Sequence, residues 1–345
     1  MRILLIQTAF IGDVALTTPL IAALRARFPG AGLHVVATPQ GCELLSGLPN
    51  VTCHALDKKK NGFFEGLRQM QTSLGSESYD FVFCVHRSLR SLWLGRKVNA
   101  KRRIAFRSLL SRAFGYETVP YADYDEAIHY VDKTLGLLDV LGPIPPRTRP
   151  ELAVEPRDAA AVELKLARLG RDARYIVLSP FSVWGTKMWF SDRYARLGSL
   201  IAERYKCPIV VVGGGDPREA VVAQTIVEKI RATGAEALSL VGQTSLGELK
   251  QVIRGAVLVV ANDSAPVHIA AAFDVPTVAI FGPTVRKWGF FPLATRSEMV
   301  ERKDLPCRPC HLHGPQKCPQ GHFKCMDEIQ VEDVAAAIDR MLGAV

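Results

Sequence analysis

"VLVVANDSAPVHIAAAFDVPTVAIFGPT", residues 257–284, decides the fold. A short β-branched apolar run ends at Asn262-Asp263, Ser264 stands in a helix-capping position, and Pro266 suits the first helical turn. A second apolar run then begins at Val275. Strand, helix and strand in such close succession make a βαβ unit, and therefore a parallel sheet. The helix would turn its positive end toward whatever lies beyond Asp263, a favourable place for an anion, with His268 one turn in. A well-capped structural unit with a core histidine would read the same way. By itself the stretch leaves both readings open.

The same rhythm extends outward from it. "YIVLSP" (175–180), "PIVVVGGGD" (208–216) and "ALSLVG" (237–242) read as further strands, and "VEDVAAAIDRML" (331–342) as a closing amphipathic helix. Upstream, "RILLIQ" (2–7), "LHVVATP" (33–39) and "FVFCVH" (81–86) repeat the pattern, with helical spacing from Val14 to Phe28. Between the two runs, "GPIPPRTRPELAVEP" (142–156) holds five prolines and reads as a stiff, extended linker. We therefore expect a first α/β domain over 1–150 and a second over 151–329. A terminal helix over 330–345 is expected to pack back toward the first domain. Ligands of such folds bind at strand C-terminal ends, and with two halves the expected site is the cleft between them.

At 345 residues, 48% of them hydrophobic and 22% charged, the chain has a globular composition and suits two domains. It has no apolar run long enough to span a bilayer. Arg2 before an apolar stretch resembles a signal peptide, but Asp13 interrupts it, and a cytoplasmic location is expected. The formal charge is +9, and residues 86–112 hold nine Lys or Arg with no acid. A solvated face and an anionic partner (nucleic acid, a phosphorylated glycolipid or a membrane surface) both fit such a stretch.

Three stretches carry candidate chemistry. In "SPFSVWGTKMWF" (179–190), Thr186 offers a hydroxyl, Gly185 permits close backbone approach and Lys187 brings positive charge for a phosphate. In "VVVGGGDPREA" (210–220), the glycines let backbone lie against a ligand, and Glu219 could accept from ribose hydroxyls. In "TAFIGDVALTTP" (8–19), Asp13 follows Gly12 at the first strand–helix turn, where a dipole-favoured charge and a functional carboxylate look alike.

Four of the eight cysteines, Cys42, Cys53, Cys84 and Cys207, lie in core-like sequence and read as buried thiols. The other four, Cys307, Cys310, Cys318 and Cys325, crowd with three histidines in "CRPCHLHGPQKCPQGHFKC". That cluster suggests a structural zinc knuckle or structural cysteines, with no need to touch catalysis.

"IGDVALTTP" (11–19), "TKMWF" (186–190), "NDSAPVHIAAA" (262–272) and "PTVAIFGPT" (276–284) together resemble the ADP-heptose:lipopolysaccharide heptosyltransferases of glycosyltransferase family 9, in order and spacing over nearly the whole chain. The resemblance implies GT-B architecture, two Rossmann-like doubly wound domains facing a central cleft. It implies inverting transfer of heptose from ADP-heptose to the lipopolysaccharide inner core, with the second heptose as the expected addition. Asp13 would be the general base, beside Gly12, taking the acceptor hydroxyl's proton. An ordinary Asp, with a pKa of about 3.9, is ionised and ready at neutral pH. Lys187, Thr186 and the helix start at Ser264 would serve the diphosphate, Asp263 the sugar hydroxyls and Glu219 the ribose, with His268 nearby. No cofactor would be required for catalysis. The acceptor would be an anionic, Kdo-bearing lipid A at the inner leaflet, with the basic stretch holding the enzyme at the membrane surface. Where the family pattern has glycine after "NDS", this chain has Ala265 and Pro266, which implies a re-shaped turn. A same-fold transferase for another nucleotide sugar is the nearest alternative. A nucleic-acid-binding protein would leave Asp13, Lys187 and Asp263 without a role, so nucleic acid is not expected as a partner.

Overall fold

The computed structural model describes residues 1–57, 62–74, 77–122, 124–125, 127–170 and 173–343. The chain forms two compact units, Met1–Ala153 and Val154–Val345.

The first unit carries β1 (Arg2–Ile6), β2 (Gly32–Ala37), β3 (Val51–Ala55), β4 (Tyr79–Cys84), β5 (Ala100–Phe106) and β6 (Glu117–Val119). They form one parallel sheet in the order β3-β2-β1-β4-β5-β6. The second unit carries β7 (Ile176–Ser179), β8 (Ile209–Val211), β9 (Ala237–Ser239), β10 (Leu258–Asn262), β11 (Thr277–Phe281) and β12 (Ser297–Glu301). Their order, β12-β11-β10-β7-β8-β9, is the same winding. In each unit the direction of winding reverses beside the first strand: at β1/β4 and at β7/β10. Loops leaving those strands splay apart and open a crevice, where ligands of doubly wound sheets bind.

The central strands are buried on both faces, which is why they read as continuous apolar runs: Ile3–Ile6, Ile176–Leu178 and Leu258–Ala261 are all without exposed surface. The edge strands β3 and β12 and the basic strand β5 carry polar residues, so their period is weak in sequence.

Two expectations change in the structure. The helical spacing from Val14 is two helices, Ile11–Ala15 and Thr18–Arg27, not one. Pro19 has no N–H with which to continue the ladder, and the Thr18 hydroxyl donates to the Ala15 carbonyl at 2.7 Å instead. Cys42 and Cys53 are not thiols but a disulfide, 5.4 Å between Cα atoms, tying the helix Pro39–Leu45 to β3; Cys84 and Cys207 are buried and free. The closing helix Val331–Leu342 packs on β11, β12 and the helix Ser191–Tyr205 within its own unit. Val334, Ala337 and Ile338 join that unit's core, so the apolar face is spent there.

Candidate functional site

In the second unit the site is built at the β7/β10 crevice. After β7 the chain runs through Pro180 to a single 3-10 turn, Gly185–Lys187. After β10 it enters the helix Ala265–Ala272, with Ala265 and Pro266 as its first two residues and Ser264 at the cap. Asn262 fastens one loop to the other. Its amide donates to the Pro180 carbonyl at 2.8 Å, and its oxygen accepts from the Trp189 N–H and the Tyr194 hydroxyl. Nothing in the motif reading singled out Asn262, because this role appears only when β7 and β10 lie side by side.

Lys187 and Asp263 meet across this junction at 2.6 Å, with side chains only 12% and 6% exposed. The Thr284 hydroxyl donates to the same carboxylate oxygen at 2.6 Å. Buried charges need such partners. The Lys187 ammonium has three donors, so pairing with Asp263 leaves capacity for an arriving anion.

His268, 4% exposed, stands one turn into the helix, and its buried Nδ1 has no hydrogen-bond partner among the described residues. Burial drives its pKa down to about 4, with the Lys187 charge acting in the same direction and the Asp263 charge against it. The ring is neutral at pH 7.

Two hydroxyls of these motifs bond to backbone carbonyls within the unit. Ser264 occupies the cap position but makes no capping bond; its hydroxyl turns back to the Asn262 carbonyl at 3.1 Å. The Thr186 hydroxyl donates to the Pro315 carbonyl, as does its own N–H at 3.1 Å.

Glu219 closes the glycine loop after β8, accepting from the Gly214 N–H at 2.8 Å. Burial raises its pKa, and that hydrogen bond opposes the rise. Gly213 lies against the Phe181 ring so closely that a Cβ there would clash. The glycine loop thus borders the β7 loop.

In the first unit Asp13 and Gly12 sit inside the five-residue helix Ile11–Ala15, which leaves the crevice end of β1. Gln7, the residue after β1, donates to the Thr17 hydroxyl at 2.9 Å, and Thr17 donates to the Asp13 carbonyl at 2.8 Å. That chain of bonds fixes the backbone from which Asp13 projects. The Gln7 amide also reaches the Tyr130 hydroxyl at 3.3 Å. Burial pushes Tyr121 up to about 12 and Tyr130 well above the ordinary tyrosine range, and the Asp13 charge adds to both. The Arg87 guanidinium lies 4.3 Å from the Tyr121 ring centre, and the Lys133 ammonium 4.2 Å from that of Tyr124. Cations, phenols and one carboxylate therefore share the crevice end of this sheet.

The basic stretch is not simply a charged face. Arg103 is turned inward onto the carbonyls of Gly95, Val98 and Ala100, Arg102 grips Glu117 with two bonds, and Lys101 pairs with Asp80. Strand β5 runs through the middle of it.

Among the described residues no group of three or more His, Cys, Asp or Glu side chains could hold a metal ion. Cys307, Cys310, Cys318 and Cys325 form no disulfide and lie near enough to one another for their thiols to interact. Cys325 belongs to the buried core, whereas Cys310 is exposed. Burial, with the neighbouring thiols, pushes Cys325 up to about 11.

Two parallel six-stranded sheets wound alike, each with polar chemistry at its reversal point, define the two-Rossmann-unit glycosyltransferase class called GT-B. The chain belongs to glycosyltransferase family 9, the heptosyltransferases, whose family pattern matches residues 67–317. It is an enzyme of that family. It is 28% identical over 323 residues to lipopolysaccharide heptosyltransferase 1 of Pseudomonas aeruginosa, covering 90% of this chain and 86% of that one. Its fold matches a family 9 glycosyltransferase from Veillonella parvula with a TM-score of 0.83 at 22% identity, over 99% and 97% of the two chains. It matches ADP-heptose lipopolysaccharide heptosyltransferase II of Escherichia coli with a TM-score of 0.77 at 20% identity, over 99% and 98%. Among the described residues no helix is long and apolar enough to cross a membrane.

Proposed function

We propose that this enzyme transfers heptose from ADP-heptose to the lipopolysaccharide inner core, with inversion, and that it adds the second heptose. The observation that carries the donor half is the buried Lys187–Asp263 pair at the start of the helix Ala265–Ala272. A lysine with spare donors and a helix N-terminus suit a diphosphate leaving group, whose negative charge grows as the glycosidic bond breaks. Asp263, already neutralised by Lys187, keeps acceptor capacity for sugar hydroxyls. Glu219 takes the ribose hydroxyls. No step requires a metal.

Asp13 is the general base on this reading. It removes the proton from the acceptor hydroxyl as that oxygen attacks the anomeric carbon, and its charge favours the oxocarbenium-like transition state. The acceptor is an anionic, Kdo-bearing lipid A, and the enzyme works at the membrane surface. The overall resemblance of the sequence supports the second-heptose assignment.

The test is mass spectrometry of lipid acceptors incubated with ADP-heptose. Kdo-lipid A and its mono-heptosylated form are compared, with Asp13→Asn as the control. A one-heptose gain on the mono-heptosylated acceptor is expected, and Asp13→Asn should lower kcat by about 10²–10⁴-fold with ADP binding unchanged. A gain on Kdo-lipid A alone would reassign the enzyme to the first heptose. No gain on either would remove ADP-heptose as the donor.

A further inference from the structure

The Cys-rich segment, residues 307–325, is bonded near its start and at its middle to the two loops that the proposed donor site uses. We infer that the segment is a staple for the donor site and that Arg308 and Gln316 are positioning residues, fixing the two loops whose side chains meet on Asp263. This rests on the reading of the second unit as the ADP-binding unit.

At one end Arg308, 2% exposed, spends its guanidinium on the loop after β11. It donates to the carbonyls of Gly282 and Thr284 and to Arg302, and pairs with the Glu301 carboxylate at 2.6 Å. Holding the Thr284 backbone sets the hydroxyl that donates to Asp263. At its middle Gln316 uses both ends of its amide on the loop after β7: its oxygen accepts from the Gly185 N–H at 3.1 Å, and its nitrogen donates to the Val183 carbonyl at 2.8 Å. Pro315 accepts from Thr186 twice. The Trp184 ring lies nearly parallel to His313, 6.0 Å between centres. Contact at Gly185 is so close that a Cβ would collide with the Gln316 carbonyl oxygen. Lys187 follows immediately in the chain, so its reach to Asp263 starts from a backbone that the staple holds. A loop ordered in advance saves the entropy of ordering it on the ligand, so loosening it should weaken donor binding more than it slows chemistry.

The experiment measures ADP binding by calorimetry, with steady-state kinetics and thermal midpoints, for the full-length wild type, Gln316→Ala and Gly185→Ala. Loss of two hydrogen bonds of about 1 kcal/mol each predicts an ADP Kd, and a donor KM, raised about 5–30-fold in Gln316→Ala. The acceptor KM and kcat should hold, and the thermal midpoint should fall by no more than a few degrees. Gly185→Ala should weaken ADP in the same way by pushing the segment off. Wild-type ADP affinity in Gln316→Ala would overturn the staple, as would an acceptor KM that rises in step with the donor KM. A wild type that does not bind ADP would instead overturn the donor reading beneath it.

Discussion

Lys187 and Asp263 are two residues with one electrostatic fate. Each is buried enough that removing its partner leaves a charge with little water to solvate it. Lys187→Ala should therefore lower stability by about 3 kcal/mol as well as weakening ADP, whereas a lysine serving only the ligand would leave the denaturant midpoint untouched. Urea unfolding at pH 7 separates the two. His268 gives a second test through pH. Its pKa is lowered from 6.5 to about 4 by burial, so the unfolded chain binds more protons between those values. Its contribution is complete above pH 6.5 and is lost as pH falls toward 4, roughly 3 kcal/mol in all. His268→Gln should flatten that acid limb; an unchanged slope would assign the limb to carboxylates. At this scale the sequence showed which residues carry charge at the βα turns. It did not show that the Thr186 hydroxyl faces the Pro315 carbonyl, because that pairing joins residues 129 apart in the chain.

Elements were legible where burial makes them so. The strands β1, β7, β10 and β11 are enclosed on both faces, and enclosure demands the continuous apolar runs that identify them. β5 hides inside the basic stretch because Arg102 and Arg103 find partners in the fold rather than solvent, and β12 alternates weakly at an edge. The disulfide between the helix Pro39–Leu45 and β3 was equally hidden, since two cysteines eleven residues apart do not reveal whether their Cβ atoms face one another. Closing that loop should stabilise the first unit by about 2–3 kcal/mol. Cys53→Ser should lower the unfolding midpoint in oxidising buffer, and dithiothreitol should bring the wild type down to meet it.

For the whole molecule the dominant quantity is the formal charge of +9. An enzyme that meets an anionic lipid should bind vesicles through screened attraction, so binding to vesicles of about 30% anionic lipid should be strong at low salt and largely lost by about 0.5 M, where the Debye length falls well below 8 Å. Co-sedimentation over a salt series checks this. Salt-independent binding would indicate an apolar anchor instead. Lys101 and Arg102 are paired with Asp80 and Glu117, so the slope should be shallower than the nine Lys and Arg of residues 86–112 would give if all were unpaired.

What the sequence determined by itself is the winding and its chemistry. Apolar runs alternating with helical spacing specify two parallel sheets, and the residues that interrupt those runs at the turns, Asp13, Lys187 and Asp263, are the ones on which the proposed ligand contacts rest. This works because strand burial and helix capping are local demands, written within a few neighbouring positions. Only the tertiary structure decided which of those residues touch, which carbonyls their neighbouring hydroxyls bond, and that the cysteine-rich segment is bonded to the loops after β7 and β11. Those outcomes depend on β7 and β10 lying side by side and on Arg308 and Gln316 reaching loops distant in the chain. Contacts across such separations leave no period or spacing in the sequence.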